Sequence, residues 1–350
     1  MHPYQWLAPR SFWRSAIADR DVQGIDELWL PKFAIGRTDA IITAGSCFAQ
    51  HMSRALVARG MHWLDAEPAP ATLPPEQHQA HHYGVFSFRT GNIYTPAMLH
   101  QWLCWAFGRS PLPDELWHQD GRFFDPWRPT VEPEGYASAE HLLQARQVTL
   151  AAIRGAVAEA KLLVFTLGLT EAWENRATAL LYPVCPGTLK GRFDPQAHRF
   201  RNFTFAETHG ELSAVIALLR EVNPRLRLLL TVSPVPLTAT ASGQHVLSAT
   251  TYSKSVLRAV AGQLCDEHEQ VDYFPSYEII SAPPFKGAFF ADNQREVLPA
   301  GVALVMRHFF AALQPASQAA PTHTRAQGRH ALSSEELICE DAVLDYYAKP

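Results

Sequence analysis

The chain has 350 residues, of which 47% are hydrophobic and 18% are charged, a composition that supports a sizeable core and excludes a wholly disordered protein. With 30 basic and 34 acidic residues its formal net charge is −4, and without a basic block we expect no nucleic-acid partner bound through phosphate contacts. This length suits one large α/β domain with insertions as well as it suits two domains.

The predicted strands and helices alternate along the chain. Apolar runs followed by turn residues predict strands, and stretches with helical periodicity predict the helices between them. Apolar strands that alternate with helices are typical of a parallel sheet covered on both faces. In chain order we predict a strand at 40–44, a helix to about 59, helices at 95–107 and 138–159, a strand at 161–167, a helix at 206–222, a strand at 226–232, a helix at 250–267, a strand at 271–274 and a helix at 299–313.

The chain carries no signal for secretion, membrane insertion or disulfide cross-linking. The segment Met1–Trp6 lacks a basic region followed by an apolar stretch, and the apolar runs are far shorter than the ~20 residues that span a bilayer. Five scattered cysteines without a C-x-x-C pair indicate reduced thiols. We therefore expect a soluble cytoplasmic protein without a membrane span.

The predicted organisation has one main domain. Prolines and aromatic residues indicate irregular insertions within it, and Ala, Ser, Gln, Thr and Pro dominate a predicted linker after it. The motif Ser333-Ser-Glu-Glu could cap a short closing helix. The predicted parts are an N-terminal extension 1–37, an α/β domain 38–313 with insertions at 66–82, 108–136 and 175–204, a linker 314–332, and a short helix or tail 333–350.

Three polar segments directly follow predicted strands: Gly45-Ser46-Cys47, Gly168-Leu-Thr170-Glu171 and Ser233-Pro-Val. In open parallel sheets ligands bind beyond the carboxyl ends of the strands, so these segments mark the expected site. Ser46 would lie at a strand-to-helix turn, where a helix N-terminus could stabilise an oxyanion, and it is therefore a candidate nucleophile. A role as a helix cap is the alternative.

The segment Gly45-Ser46-Cys47-Phe48-Ala49 resembles the signature after which the GSCFA-domain family is named. The resemblance covers about residues 38–312 and implies a branch of the SGNH (GDSL-like) hydrolases, which have a flavodoxin-like three-layer α/β/α fold and a catalytic serine. That superfamily includes esterases and carbohydrate O-acyltransferases or deacetylases. The other segments that resemble the family are 83–87, 91–95, 165–173, 231–236, 252–254 and 273–278.

The resemblance carries over to individual residues in part. Gly45 and Ser46 match the first superfamily block, but no aspartate precedes the serine. Gly91 before Asn92 is the best match to the second block, and Gly84 is its competitor. The implied oxyanion and substrate-binding residues are Gly45, Gly91, Asn92, Gly168, Thr170 and Glu171, with Thr170 at the position of the superfamily's asparagine.

The chain departs from the superfamily at the last block, where the superfamily has Asp-x-x-His before the final helix. Aligning Pro299 and Gly301 places Glu296 at the histidine position, whereas aligning Asp292 places Arg295 there. Neither register holds a histidine, although a serine nucleophile needs a base within hydrogen-bond reach. The base must therefore come from elsewhere, or Asp292 or Glu296 must serve.

His245 is the predicted base. It follows the third of the polar strand-end segments, which keeps it on the carboxyl side of the sheet, and Asp292 or Glu296 could orient its ring. His82 and His198 are the alternatives. A surface or packing role stays open for each histidine.

Two classes of function remain open. The first is a serine esterase or O-acyltransferase in which Ser46 attacks an acyl ester of a small molecule or glycan. The second is a non-catalytic glycan- or protein-binding module that keeps the pocket and lacks the base. Cys47 is the rival nucleophile and is expected to be buried. We expect no cofactor and no metal, because the His78-Gln-Ala-His81-His82 cluster has no spacing that would hold three or four ligands together.

Overall fold

A parallel four-stranded sheet lies at the centre of the computed structural model, which describes residues 1–313 and 337–347. The strands are β1 (Ile41–Gly45), β2 (Trp117–Gln119), β3 (Arg122–Phe124), β4 (Leu162–Leu167), β5 (Glu171–Asn175), β6 (Leu181–Tyr182), β7 (His198–Asn202), β8 (Arg227–Val232) and β9 (Val271–Tyr273). The order in the central sheet is β1-β4-β8-β9, with all neighbours parallel. A parallel bridge between Ile41 and Trp63 extends this sheet beyond β1.

The α-helices of the described residues are α1 (Ala49–Ala58), α2 (Pro75–His78), α3 (Pro96–Ala106), α4 (Ala139–Glu159), α5 (Phe205–Val222), α6 (Val246–Glu267), α7 (Ser276–Ser281) and α8 (Pro299–Ala312). The ends of the six predicted helices agree with these bounds to within a residue or two, except at the start of α6. There His245 accepts a hydrogen bond from the Leu247 N–H (3.2 Å) and caps the helix one turn earlier than predicted. In the described part of the chain, none of the helices has the length and apolarity that crossing a membrane requires.

Alternate residues of the central strands face two different helical layers. Ile42, Leu163 and Leu228 belong to a core shared with α3, α4, α5 and α6, whereas Ile41 and Leu162 pack with α1, α7 and α8. Because helices cover both faces, the strands are apolar along almost their whole length. The predicted α/β fold, a three-layer α/β/α sandwich around a parallel sheet, is confirmed.

Two small antiparallel sheets lie on the sandwich. One pairs β2 with β3, and the other places β5 between β6 and β7. In the second sheet Glu174 of β5 forms ion pairs with Arg199 and Arg201 of β7. The prediction that 108–136 and 175–204 are irregular is therefore wrong for these short strands, which the antiparallel pairing with their neighbours stabilises.

The N-terminal extension and the C-terminal residues each pack against the sandwich through part of their length. Trp29 stacks on Phe309 of α8, with 5.4 Å between the rings, and its Nε1 donates to Asp272 (3.2 Å). At the other end, a 3₁₀-helix over Glu340–Tyr347 follows irregular residues 337–339. The predicted linker 314–332 and the first residues of the predicted closing helix, 333–336, lie outside the described residues.

Candidate functional site

Ser46 lies directly after β1, in the turn that leads to α1. Gly45, the last residue of β1, has φ +138°, and a Cβ added there would lie 2.4 Å from the Thr166 carbonyl oxygen of β4. A side chain would therefore collide with β4, so the turn requires glycine. The Ser46 N–H donates to the same Thr166 oxygen (3.0 Å), so this amide ties the turn to β4.

The Ser46 side chain is buried next to Gly168. Its exposed fraction is 2%, and its Oγ has no hydrogen-bond partner among the described residues. A Cβ added to Gly168 would lie 2.8 Å from the Ser46 Cβ and 3.1 Å from the Tyr94 carbonyl oxygen. The glycine after β4 therefore makes room for the serine after β1, and the two strand ends meet as the sequence predicts.

Residues 91–94 cross between the ends of β1 and β4. The Ile93 N–H donates to the Gly45 carbonyl (2.8 Å), and the Gly168 N–H donates to the Tyr94 carbonyl (2.9 Å). Gly91, at φ +68°, provides the left-handed residue before this crossing. These bonds bring Asn92 to the same edge of the sheet as Ser46.

The Asn92 side chain contacts the carboxylate of Glu340, a residue that the sequence did not mark as part of the site. Asn92 Nδ2 donates to Glu340 Oε2 (2.8 Å), Tyr94 Oη donates to the same oxygen (3.3 Å), and Thr130 Oγ1 donates to Glu340 Oε1 (2.8 Å). A Cβ added to Gly91 would lie 2.8 Å from Oε1. Glu340 is only 3% exposed, so this carboxylate is held inside the protein by neutral donors.

The residues before Glu340 also bind at this edge of the sheet. The Ile338 carbonyl accepts hydrogen bonds from Gln50 Nε2 (2.7 Å) and Asn92 Nδ2 (3.0 Å), and the Ile338 N–H donates to Gln50 Oε1 (3.2 Å). The Cys339 Sγ lies 3.6 Å from the Sγ of Cys47, which is buried as expected. Residues 337–340, which we call the C-terminal segment, therefore lie along the start of α1 and against Asn92.

Thr170 and Glu171 use their polar groups elsewhere. Thr170 Oγ1 donates to Asn202 Oδ1 (2.7 Å), and its N–H donates to Ser253 Oγ (2.9 Å). Glu171 accepts a hydrogen bond from Thr240 Oγ1 (2.7 Å), and burial raises the pKa of this carboxyl group although that bond partly offsets the rise. In this structure Thr170 ties the start of β5 to β7 and α6, and Glu171 ties β5 to the loop between β8 and α6.

His245 is exposed at the start of α6, and Asp292 and Glu296 are exposed before α8. His245 Nδ1 accepts a hydrogen bond from the Leu247 N–H (3.2 Å), so this ring nitrogen is engaged in capping α6. No hydrogen bond joins these side chains to Ser46 within the described residues. The assignment of His245 as base, oriented by Asp292 or Glu296, stays a prediction.

The loop before α8 lies beside the C-terminal segment. Asn293 Oδ1 accepts the N–H groups of Arg295 and Glu296 (3.0 Å each), which fixes a tight turn. Arg295 Nη2 lies 3.6 Å from the Cys339 Sγ, which in turn contacts Cys47. Arg295, which takes the histidine position when Asp292 is aligned with the superfamily's aspartate, thus lies at the edge of the site.

Two other buried groups adjoin the site. His82 lines a surface pocket of about 510 Å³ together with Thr130 and Ile338. Burial, and to a smaller extent nearby cationic groups, lowers the pKa of His82 to about 3, so its ring is neutral at physiological pH. Lys254 is buried in α6, and its Nζ donates to the carbonyl of Gly168 (2.7 Å), the glycine that lies next to Ser46.

The fold and this geometry define an α/β protein whose β1–α1 turn carries a buried serine at the carboxyl edge of a parallel sheet. Comparison with known families is more specific: residues 40–309 match the GSCFA family. The chain belongs to the GSCFA family, as the motif around Ser46 indicated. None of the curated proteins matches it.

Proposed function

We propose that this protein is a serine-dependent esterase or O-acyltransferase of the SGNH type, with Ser46 as its nucleophile. The observation that carries the proposal is the buried Ser46 Oγ, which has no hydrogen-bond partner among the described residues. A buried polar group without a partner costs about 1–3 kcal/mol, and such a group calls for an explanation in terms of function. Its place at the carboxyl edge of the sheet, where α/β proteins bind ligands, supplies one.

In the proposed reaction the Ser46 Oγ attacks the carbonyl carbon of an acyl ester. The bond from that carbon to the leaving alcohol oxygen breaks, and the hydroxyl proton passes through the base to the leaving oxygen. Water or an acceptor hydroxyl then takes the acyl group and regenerates Ser46. Asn92 Nδ2 is the proposed oxyanion donor, because it already donates to a carboxyl oxygen of Glu340 (2.8 Å).

His245 is the proposed base. Its Nδ1 is occupied by the hydrogen bond from the Leu247 N–H, so that bond must be released before Nδ1 can bind the Ser46 hydroxyl. Catalysis through Nδ1 of His245 therefore requires the start of α6 to rearrange when substrate binds.

The second candidate function is a non-catalytic glycan- or protein-binding module. Two observations favour it: within the described residues no histidine is hydrogen-bonded to Ser46, and the Asn92 donor is filled by the chain's own Glu340. Such a protein would keep the pocket of a hydrolase and use it only to bind.

A fluorophosphonate probe distinguishes the two functions, because only an activated serine displaces its fluoride and becomes phosphonylated. We expect the wild type to gain the mass of one phosphonyl group at Ser46, and the Ser46→Ala variant to gain none. Ser233→Ala is the matched control, since Ser233 is a buried serine at the end of β8 whose Oγ accepts the Val235 N–H (3.2 Å). If the wild type and Glu340→Ala both stay unlabelled, the esterase proposal is wrong and the binding module is favoured.

A further inference from the structure

The Glu340 carboxylate occupies a set of donors that come from separate parts of the chain. Asn92 and Tyr94 belong to the crossing segment between β1 and β4, and Thr130 belongs to the loop after β3. Together they give both carboxylate oxygens hydrogen bonds of 2.8–3.3 Å. Hydrogen bonds from neutral donors to an ionised acceptor are stronger than neutral pairs, so this arrangement suits an anionic carboxylate.

Gly91 shapes the same place from the backbone side. Its φ of +68° is one that residues with side chains adopt rarely, and a Cβ there would lie 2.8 Å from Glu340 Oε1. A β-carbon would therefore remove the space that one carboxylate oxygen fills. The side-chain donors and the missing side chain of Gly91 thus shape the same small volume.

We propose that Gly91, Asn92, Tyr94 and Thr130 form a binding site for a short aliphatic carboxylate, and that Glu340 is its intramolecular occupant. The glutamate side chain beyond Cα is equivalent to propionate, so the site accepts a carboxylate on a two- or three-carbon chain. Resting on the proposed function, the ligand is the acid that remains when Ser46 cleaves a short-chain acyl ester. The C-terminal segment then competes with the acyl group for the Asn92 donor.

The contacts of the C-terminal segment are those expected if the whole segment docks at once and competes with the carboxylate ligand. Ile338 is held by Gln50 on both its N–H and its carbonyl, and Cys339 lies against Cys47. All of these partners belong to α1 or to the turn that begins with Ser46. When the segment leaves, Asn92, Gln50 and the edge beside Ser46 therefore become accessible together.

The test measures binding of propionate by ligand-observed NMR to the full-length wild type, to Glu340→Ala and to the control Asp345→Ala, which alters an exposed carboxylate of the same 3₁₀-helix. If the wild-type site is open for a tenth of the time or less, Glu340→Ala binds propionate at least about tenfold more tightly. Propionamide, the neutral isostere, is expected to bind none of the three. Equal propionate affinity in all three proteins, or equal binding of propionamide, would overturn the proposal.

A second measurement does not depend on how the variant folds. Mild oxidation of the wild type with diamide removes two electrons and two protons from Cys47 and Cys339, whose Sγ atoms need to close from 3.6 Å to the about 2.05 Å of a disulfide. The locked protein is expected to lose propionate binding and to regain it on reduction, whereas Cys339→Ser is expected to be unaffected by diamide. Propionate binding that survives the lock contradicts the competition.

Fluorophosphonate labelling separates the failure of this inference from the failure of the proposed function. Glu340→Ala is expected to label at Ser46 about tenfold faster than the wild type, because the segment no longer covers the site. Tighter propionate binding without any labelling keeps the carboxylate site and rejects the esterase. If the wild type is labelled and Glu340→Ala is not, Glu340 takes part in the reaction, and its proposed role as a competitor is wrong.

Discussion

Replacement of Asp125 by asparagine tests how the site's supporting core is held. Asp125 is fully buried, and its Oδ2 accepts hydrogen bonds from Arg128 Nε (3.0 Å) and Arg146 Nε (3.1 Å). Arg128 Nη1 in turn donates to the Arg89 carbonyl (3.0 Å), two residues before Gly91. Asp125 therefore pairs with two buried cations, one of which, Arg128, holds the backbone just before the crossing segment.

The expected effect is large because asparagine keeps the shape of aspartate and removes its charge. Breaking a buried ion pair by removing one partner costs about 3–5 kcal/mol, which for a chain of this size lowers Tm by roughly 4–7 °C. Burial raises the pKa of Asp125, but the charges of Arg146 and Arg128 outweigh it and leave the pKa below its ordinary value. The stabilising contribution is therefore present above pH ~4, the unfolded value, and is lost as the pH falls through the folded pKa.

Thermal unfolding followed by circular dichroism between pH 3 and pH 8 measures this effect. The matched control is Glu221→Gln, which breaks the exposed ion pair with Arg109 and should cost less than about 1 kcal/mol. We expect the Tm difference between wild type and Asp125→Asn to be constant from pH 5 to pH 8 and to shrink below pH ~4. A change no larger than that of the control, or a difference that grows on acidification, would refute the reasoning.

The remaining predictions also concern stability. Gly45→Ala should yield no folded protein by circular dichroism, because its Cβ would lie 2.4 Å from the Thr166 oxygen; recovery of native Tm contradicts the close approach. Gly155→Ala, in α4 with open space around it, should raise stability by about 0.5–1 kcal/mol in urea unfolding, and a loss of stability contradicts this. Asn223→Ala should cost about 2–3 kcal/mol in the same assay, because Asn223 Nδ2 satisfies two backbone carbonyls at the end of α4 (2.8 Å each); a neutral effect contradicts it.

The central sheet could be predicted from the sequence because buried parallel strands have an unmistakable local pattern. Leu228–Val232 is apolar or β-branched at every position, since helices cover both of its faces. The antiparallel strand β7 has no such pattern. In the sequence alone, its Arg199 and Arg201 look like loop residues. Their ion pairs with Glu174 of β5 explain them as strand residues, and only the tertiary fold brings Glu174 next to them.

The same distinction applies to the candidate site. Gly45 and Gly168 could be placed at one edge because each follows an apolar strand, and parallel strands share their carboxyl edge. Glu340 could not be placed there, since the bond to Asn92 joins residues 248 positions apart and no local periodicity encodes it. The apolar run Leu337-Ile338-Cys339 in a polar stretch was the one available signal that this part of the chain docks.

The long separation between Ser46 and the C-terminal segment has a consequence for biosynthesis. Domains fold as the chain leaves the ribosome, with N-terminal parts first, so the edge beside Ser46 can form once α8 has emerged. Residues 337–340, which cover that edge through Gln50 and Asn92, emerge only later. In each new molecule the side chains of Gln50 and Asn92 therefore lack these contacts until residue 340 has left the ribosome.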